Sequence, residues 1–302
     1  MWADNGDLKG RSALVTGGTD GIGKEIARGL AARRARVIIV GSDPIKGKRA
    51  EAELREEAGH GGVDFLRADL SLMSEVDRVA ENIVTRCAGL HYLVLCAGIV
   101  RGRFTLTSEG VETNLAIGYL GRFVLVERLL AFMQESGIPG GSASRILVIS
   151  GAARNGTIHY EDMNLTRNFA TLRMVSQLCE ANDMFAIEQA RRLAEAGDRA
   201  RVLINVLKVG VVRTGIRRQF PLWMKIVVPV LLDWFLARTP RRVAEEALRM
   251  LLSPEFEKTS GALFLFIRRF KRLATGPRTS DPTEGHRLWE ISERIATQAG
   301  AA

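Results

Sequence analysis

Short apolar runs alternate with longer amphipathic stretches along most of this chain. The runs at 12–16 (SALVT), 36–40 (RVIIV), 63–66, 92–96, 145–150 and 201–207 are brief and rich in Val, Ile and Leu. Uninterrupted apolar runs of that length predict strands covered on both faces. Apolar positions recur at helical spacing over 21–33, 46–58, 72–86, 109–133, 171–195 and 241–252. Strands that alternate with helices predict an α/β fold, a doubly wound parallel sheet with right-handed crossovers. The stretch 137–144 (GIPGGSAS) reads as a loop, and no break in composition divides the chain, so one domain over 1–302 is expected.

Composition narrows the function classes. Of 302 residues, 46% are hydrophobic and 25% charged, which suits a packed core and excludes wholesale disorder. The net charge of +9 comes from arginines spread along the chain with no basic–aromatic motif, so a solvated basic surface is expected and no nucleic-acid partner. Cys87, Cys96 and Cys179 are odd in number and widely spaced, and the four histidines are scattered, which suggests neither a disulfide framework nor a metal site. The first nine residues are polar, and the apolar run 226–232 is broken by Pro229 and followed by Asp233. No transmembrane segment and a cytoplasmic location are expected.

The strongest local signal is Thr16-Gly17-Gly18-Thr19-Asp20-Gly21-Ile22-Gly23, between the first strand and the first helix. Glycines there let the backbone turn tightly and approach a pyrophosphate, and a side chain at Gly17 would occupy that approach. The helix start adds free N–H groups and a positive dipole. The spacing Thr-Gly-x-x-x-Gly-Ile-Gly resembles the short-chain dehydrogenase/reductase (SDR) family, and further segments agree in order. Asp69-Leu70 follows the third strand, Ala97-Gly98 ends the fourth, and Thr107-Ser108-Glu109-Gly110 is similar to retinol-dehydrogenase-like members. Val209-Gly210-Val211-Val212-Arg213-Thr214 and the stretch from Ser280 to Arg294 also resemble that subgroup. The resemblance implies an SDR fold with an apolar substrate lid over about 215–240. It implies nicotinamide-cofactor contacts from Thr16, Gly17, Thr19, Asp20, Gly21, Ile22, Gly23, Ser42, Asp69, Leu70, Cys96, Ala97, Gly98, Gly210 and Thr214. Similar sequences often carry an Arg where Ser42 stands, to grip the 2′-phosphate. Without that cation, and with Asp20 nearby, the expectation leans to NAD over NADP. Asp43 is a further candidate acceptor for a ribose hydroxyl.

The family's chemistry rests on an Asn, a Ser and a Tyr-x-x-x-Lys pair, and this chain departs from all four. By register the Asn falls at Gly118, the Ser at Gly151, the Tyr at Val175 and the Lys at Cys179. Of the three tyrosines, Tyr92, Tyr119 and Tyr160, none has Lys four residues later. Candidate replacements are Tyr160, in a turn with Glu161 and Asp162 after the fifth strand, and Lys208 at the end of the sixth; Ser150, Ser176 and Asn114 lie close to vacated positions. Trp223, Met224, Trp234 and Phe235 give the lid large apolar side chains, which favours a lipophilic small-molecule substrate. The helices over 109–133 and 171–195 are candidates for homo-oligomer contacts. Three readings stand open: a divergent biosynthetic enzyme that binds NAD(P) and performs non-redox chemistry such as cyclisation, isomerisation or elimination; an NAD(P)-dependent oxidoreductase with non-standard catalytic residues; and a non-catalytic cofactor-binding or regulatory protein.

Overall fold

The computed structural model describes residues 6–136, 142–197, 202–210, 239–267 and 269–300. In chain order they form β1 (Ser12–Thr16), α1 (Gly21–Ala31), β2 (Arg36–Gly41), α2 (Pro44–Ala58), β3 (Val63–Arg67), α3 (Met73–Arg86) and β4 (Tyr92–Leu95). There follow α4 (Thr113–Leu115), a π turn (Ala116–Leu120), α5 (Gly121–Ser136), β5 (Ser144–Gly151), α6 (Thr171–Glu195) and β6 (Val202–Val209). The chain closes with α7 (Pro240–Leu252), β7 (Ala262–Phe266), β8 (Phe270–Arg272) and α8 (Pro282–Gln298).

All eight strands join one sheet in the order β3-β2-β1-β4-β5-β6-β7-β8. Every pairing is parallel except β7 with β8. The fold is therefore the expected doubly wound α/β sheet. Alternation within each strand divides the core. Leu14, Leu93, Val148 and Val206 face α3, α5 and α6, whereas Val15, Val94, Leu147 and Leu207 face α1 and α7. Strand order reverses between β1 and β4, and such switch points open a crevice at the carboxyl ends of the strands.

Three elements differ from the sequence expectation. The helix expected over 109–133 begins at Thr113, because residues 105–113 fold back on themselves: the Thr113 N–H donates to the Thr105 carbonyl at 2.9 Å and Leu106 bridges Glu112. That helix also carries the π turn, centred on Gly118. β7 and β8 were not among the six expected strands.

α8 packs against α6 and seals one face. Trp289, 4% exposed, lies edge-on to Phe123 with ring centroids 5.0 Å apart and meets Phe185 at 6.0 Å. The Arg192 guanidinium covers the indole, 3.8 Å from the ring centroid. Removing this ring opens a cavity under three elements. Trp289→Ala is expected to cost roughly 3–5 kcal/mol, read from the urea midpoint of cooperative unfolding; a loss under about 1 kcal/mol would show that α8 is not part of the cooperative core.

Candidate functional site

The glycine loop is shaped by close backbone approach. Gly17 has φ +66°, and a Cβ there would lie 2.9 Å from the Ala97 Cα, at the end of β4. Gly17 is therefore required for contact with β4, which corrects the sequence-based reason that a side chain would fill the phosphate approach. Gly23 opens α1 so tightly on the loop that a Cβ would meet the Gly17 carbonyl oxygen at 2.4 Å. Thr16 pins the strand end: its hydroxyl accepts from the N–H groups of Cys96 at 3.0 Å and Ala97 at 3.2 Å, and donates to the Val94 carbonyl at 3.3 Å. The Cys96 sulfur accepts the Gly23 N–H, and burial pushes its thiol up to about 11. Asp20 caps α1 through the Gly21 N–H at 2.8 Å and pairs with the Lys46 ammonium at 2.8 Å. Thr16, Gly17, Asp20, Gly21, Gly23, Cys96 and Ala97 thus gather at one edge of the switch point, with Ile22 buried behind them.

The outlying candidates hold local roles. Ser42 is exposed, and Asp43 caps α2 by accepting from the N–H groups of Ile45 and Lys46 at 2.9 and 3.1 Å. Asp69 accepts from the N–H and hydroxyl of Ser71 at 3.0 and 2.7 Å, and Leu70 is buried. A Cβ on Gly210 would meet the Ile267 side chain at 3.1 Å. Thr214, Trp223, Met224, Trp234 and Phe235, with the lid segment to which the last four belong, lie outside the described residues.

Two of the four positions to which sequence register assigns the family's catalytic residues are closely packed. A Cβ at Gly118 would meet Leu178 at 2.9 Å, and one at Gly151 would meet the Cys179 sulfur at 2.9 Å. Val175 is partly exposed on α6, and Cys179 is buried one turn later. Burial raises the Cys179 thiol, against the pull of the Lys208 ammonium and a hydrogen bond with Ser150.

Lys208 is wholly buried, as a partner of Asp183 on α6. It stands opposite Ser150 in the β5–β6 register, so both side chains point to the α6 face. Burial lifts the Asp183 carboxyl to about 6 although Lys208 pulls it down, and Asp183 Oδ1 has no hydrogen-bond partner. Tyr160 is placed elsewhere. Its hydroxyl donates to Glu284 on α8 at 2.8 Å and its ring lies under the Arg287 guanidinium. Burial, then the Glu284 carboxylate, opposes its ionisation. Asp162 organises its own turn by accepting from the N–H groups of Thr166 and Arg167, and Asn114 binds the Arg101 N–H and Glu112. The structure thus brings Lys208, Ser150, Cys179 and Gly151 together and ties Tyr160 to the C-terminal helix.

Sequence reasoning missed Arg122. This guanidinium is 7% exposed at the start of α5. Its Nη1 donates to the Ile149 carbonyl at 2.9 Å and to Asn182 Oδ1 at 3.0 Å, and its Nη2 to the Ala97 carbonyl at 2.7 Å. Asn182 in turn donates to the Gly118 carbonyl at 2.8 Å. Arg122 therefore clamps the ends of β4 and β5 to α6 and to the π turn. An arginine inside an otherwise apolar helix stretch was the only available signal. Among the described residues no group of three or more His, Cys, Asp or Glu side chains is gathered for a metal ion. A cleft of about 610 Å³, lined by Ser12, Arg36, Asp64 and His91, lies at the amino ends of the strands, away from the loop.

The family described as short chain dehydrogenase matches residues 11–161. The chain is 32% identical to human (Homo sapiens) polyprenol dehydrogenase, over 83% of this chain and 75% of that one. It is 30% identical to mouse (Mus musculus) retinol dehydrogenase 14, over 96% and 87%. The solved RhlG/NADP active-site complex of Pseudomonas aeruginosa superposes with a TM-score of 0.67 at 21% identity, covering 86% of this chain and 96% of that one.

Two substitutions test this geometry. Gly17→Ala is expected to abolish any thermal shift given by NAD(H) and to destabilise the free protein by roughly 1–3 kcal/mol, through its left-handed backbone and the contact with Ala97; an unaltered shift would remove the loop from the site. Lys208→Met alone is expected to cost roughly 3–5 kcal/mol by stranding the buried Asp183, whereas Lys208→Met with Asp183→Leu should regain most of it, as measured by denaturant midpoint. A single variant as stable as the parent would show that Asp183 does not need its partner.

Proposed function

The chain belongs to the short-chain dehydrogenase family, and from that premise we propose that it is a nicotinamide-dependent oxidoreductase of a lipophilic, polyprenol-like or retinol-like alcohol or its carbonyl form. One observation carries the reading: the loop from Thr16 to Gly23 keeps a cradle in which Gly17 and Gly23 leave no room for a Cβ. α1 begins at this cradle, and the positive end of a helix dipole favours phosphate. A dinucleotide bound there would supply the hydride acceptor or donor.

The names of the relatives, polyprenol dehydrogenase and retinol dehydrogenase, support redox chemistry over the cyclisation, isomerisation or elimination that the altered site suggests. They also support a lipophilic substrate, with the segment over 215–240 as its lid. Proton handling passes to groups outside the family pattern. Lys208 is the better candidate, because it shares a buried cluster with Ser150 and Cys179, while the Tyr160 hydroxyl is already committed to Glu284. NAD is the proposed cofactor, because Ser42 offers no cation to a 2′-phosphate and the Lys46 ammonium near the loop is already paired with Asp20. No described helix is long and apolar enough to cross a membrane.

A second reading, a cofactor-binding protein without turnover, draws on Val175 and Gly151, which present no acid at the vacated positions. The two separate in one assay, which follows 340 nm absorbance with retinol, polyprenol and their carbonyl forms, using NAD(H) and NADP(H). The expected result is slow turnover, below the ~1 s⁻¹ floor of ordinary enzymes, faster with NAD(H) and further reduced in Lys208→Met/Asp183→Leu. Calorimetric binding of the dinucleotide with no absorbance change for any substrate would establish the second reading instead.

A further inference from the structure

Among the described residues, the buried charges beneath the cleft do not balance. Lys208 is matched by Asp183, so that pair contributes little net charge. Glu180, also buried on α6, turns away to the Gly156 N–H at 3.1 Å and the Thr279 hydroxyl at 2.6 Å. Arg122 is held by neutral oxygens, the carbonyls of Ala97 and Ile149 and the Asn182 amide. Its Nε is buried without a hydrogen-bond partner. The ionisable groups that reach it electrostatically are Cys96 and Cys179, whose thiols burial keeps protonated. Burial without a carboxylate lowers even this guanidinium to about 10, which leaves it charged at neutral pH.

The cation stands at the carboxyl ends of β4 and β5. A Cβ placed on Gly98 would lie 3.7 Å from Nη2. Gly118 is joined to it through Asn182, which accepts from Arg122 and donates to the Gly118 carbonyl. An unbalanced buried cation acts on whatever charge enters its neighbourhood, because low-polarity surroundings screen it weakly. The oxidised nicotinamide ring is cationic, and the reduced ring is not.

We propose that Arg122 sets which oxidation state of the dinucleotide the cleft prefers, opposing the cationic oxidised ring and retaining the neutral dihydro form. The inference rests on the dinucleotide reading of the glycine loop and adds to it a residue and a direction. Two like unit charges about 10 Å apart, at an effective dielectric of about 20, shift affinity by roughly tenfold. Arg122 touches no reacting atom in this account; it biases the site through its field.

The test is a ratio of dissociation constants, NAD⁺ over NADH, from calorimetry at one salt concentration, with no turnover involved. The unsubstituted protein is expected to bind NADH at least about tenfold more tightly. Arg122→Met should bring the ratio toward one, mainly by strengthening NAD⁺, while Arg122→Lys, which keeps the charge, should hold it near the parent value. Circular dichroism checks that each variant is folded. Where Arg122→Met does not fold, Cys179→Asp places a carboxylate within reach of the guanidinium and must lower the same ratio. A ratio unchanged in folded Arg122→Met or in Cys179→Asp, or equal binding of both forms by the parent, overturns the proposal alone. Failure of the parent to bind either form at millimolar concentration refutes the dinucleotide reading, and the proposal with it.

Discussion

The closest constraint in the fold is the meeting of two strand ends at the point where strand order reverses. The Thr16 hydroxyl accepts two successive N–H groups, from Cys96 and Ala97, and Gly17 then turns against the Ala97 Cα with no space for a side chain. One hydroxyl thus satisfies two donors left free where β4 stops pairing, which a buried strand end requires. The turn it holds sets the direction of α1, and α1 carries Asp20 as its cap and Gly23 as its contact with the loop. The site geometry on the β1 side follows from these few atoms.

On the other side of the crevice the structure has been repacked, not merely emptied. Leu178 fills the room beside Gly118, and the Cys179 sulfur fills the room beside Gly151. Larger side chains at the two glycines would collide with those neighbours, so Gly151 and Cys179 constrain one another sterically. A Lys at 179 would enter space already bounded by Lys208, and a Ser at 151 would still need that sulfur to be gone. Polar work has moved one turn along α6, to Asn182 and Asp183, which bind Arg122 and Lys208.

Periodicity made the layered fold legible, and α6 runs over the span its spacing predicts, because a long amphipathic pattern leaves little choice of face. The start of α5's predecessor was not legible, because the turn at Thr105–Thr113 is held by backbone and side-chain contacts that no periodicity encodes. β7 completes a βαβ unit with β6 and α7, but its apolar run Ala262–Phe266 is only five residues long and is flanked by polar stretches, and β8 is only three residues long. The glycine loop was legible because its spacing has a backbone meaning. Partners of buried ions were not: nothing local in the sequence says that Lys208 meets Asp183, 25 residues away, or that Tyr160 meets Glu284, 124 residues away.

Two of the buried cations, Lys208 and Arg122, illustrate different solutions to the same solvation problem. A charge withdrawn from water needs either an opposite charge or a full set of dipoles. Lys208 takes the first course, and the price appears on Asp183, whose raised carboxyl and unmatched Oδ1 mark an imperfect exchange for water. Arg122 takes the second in part, because a planar guanidinium can spread its charge over several carbonyls at once, although its Nε stays without a partner among the described residues. Carbonyls at strand ends are fixed by the sheet, so they cannot follow a moving charge. The guanidinium in turn fixes them: it joins β4, β5, α6 and the π turn at one point, and α8 closes over α6 through Trp289 and the Tyr119–Ser292 hydrogen bond at 2.7 Å. The floor of the crevice is therefore held together by an electrostatic clamp as much as by hydrophobic packing.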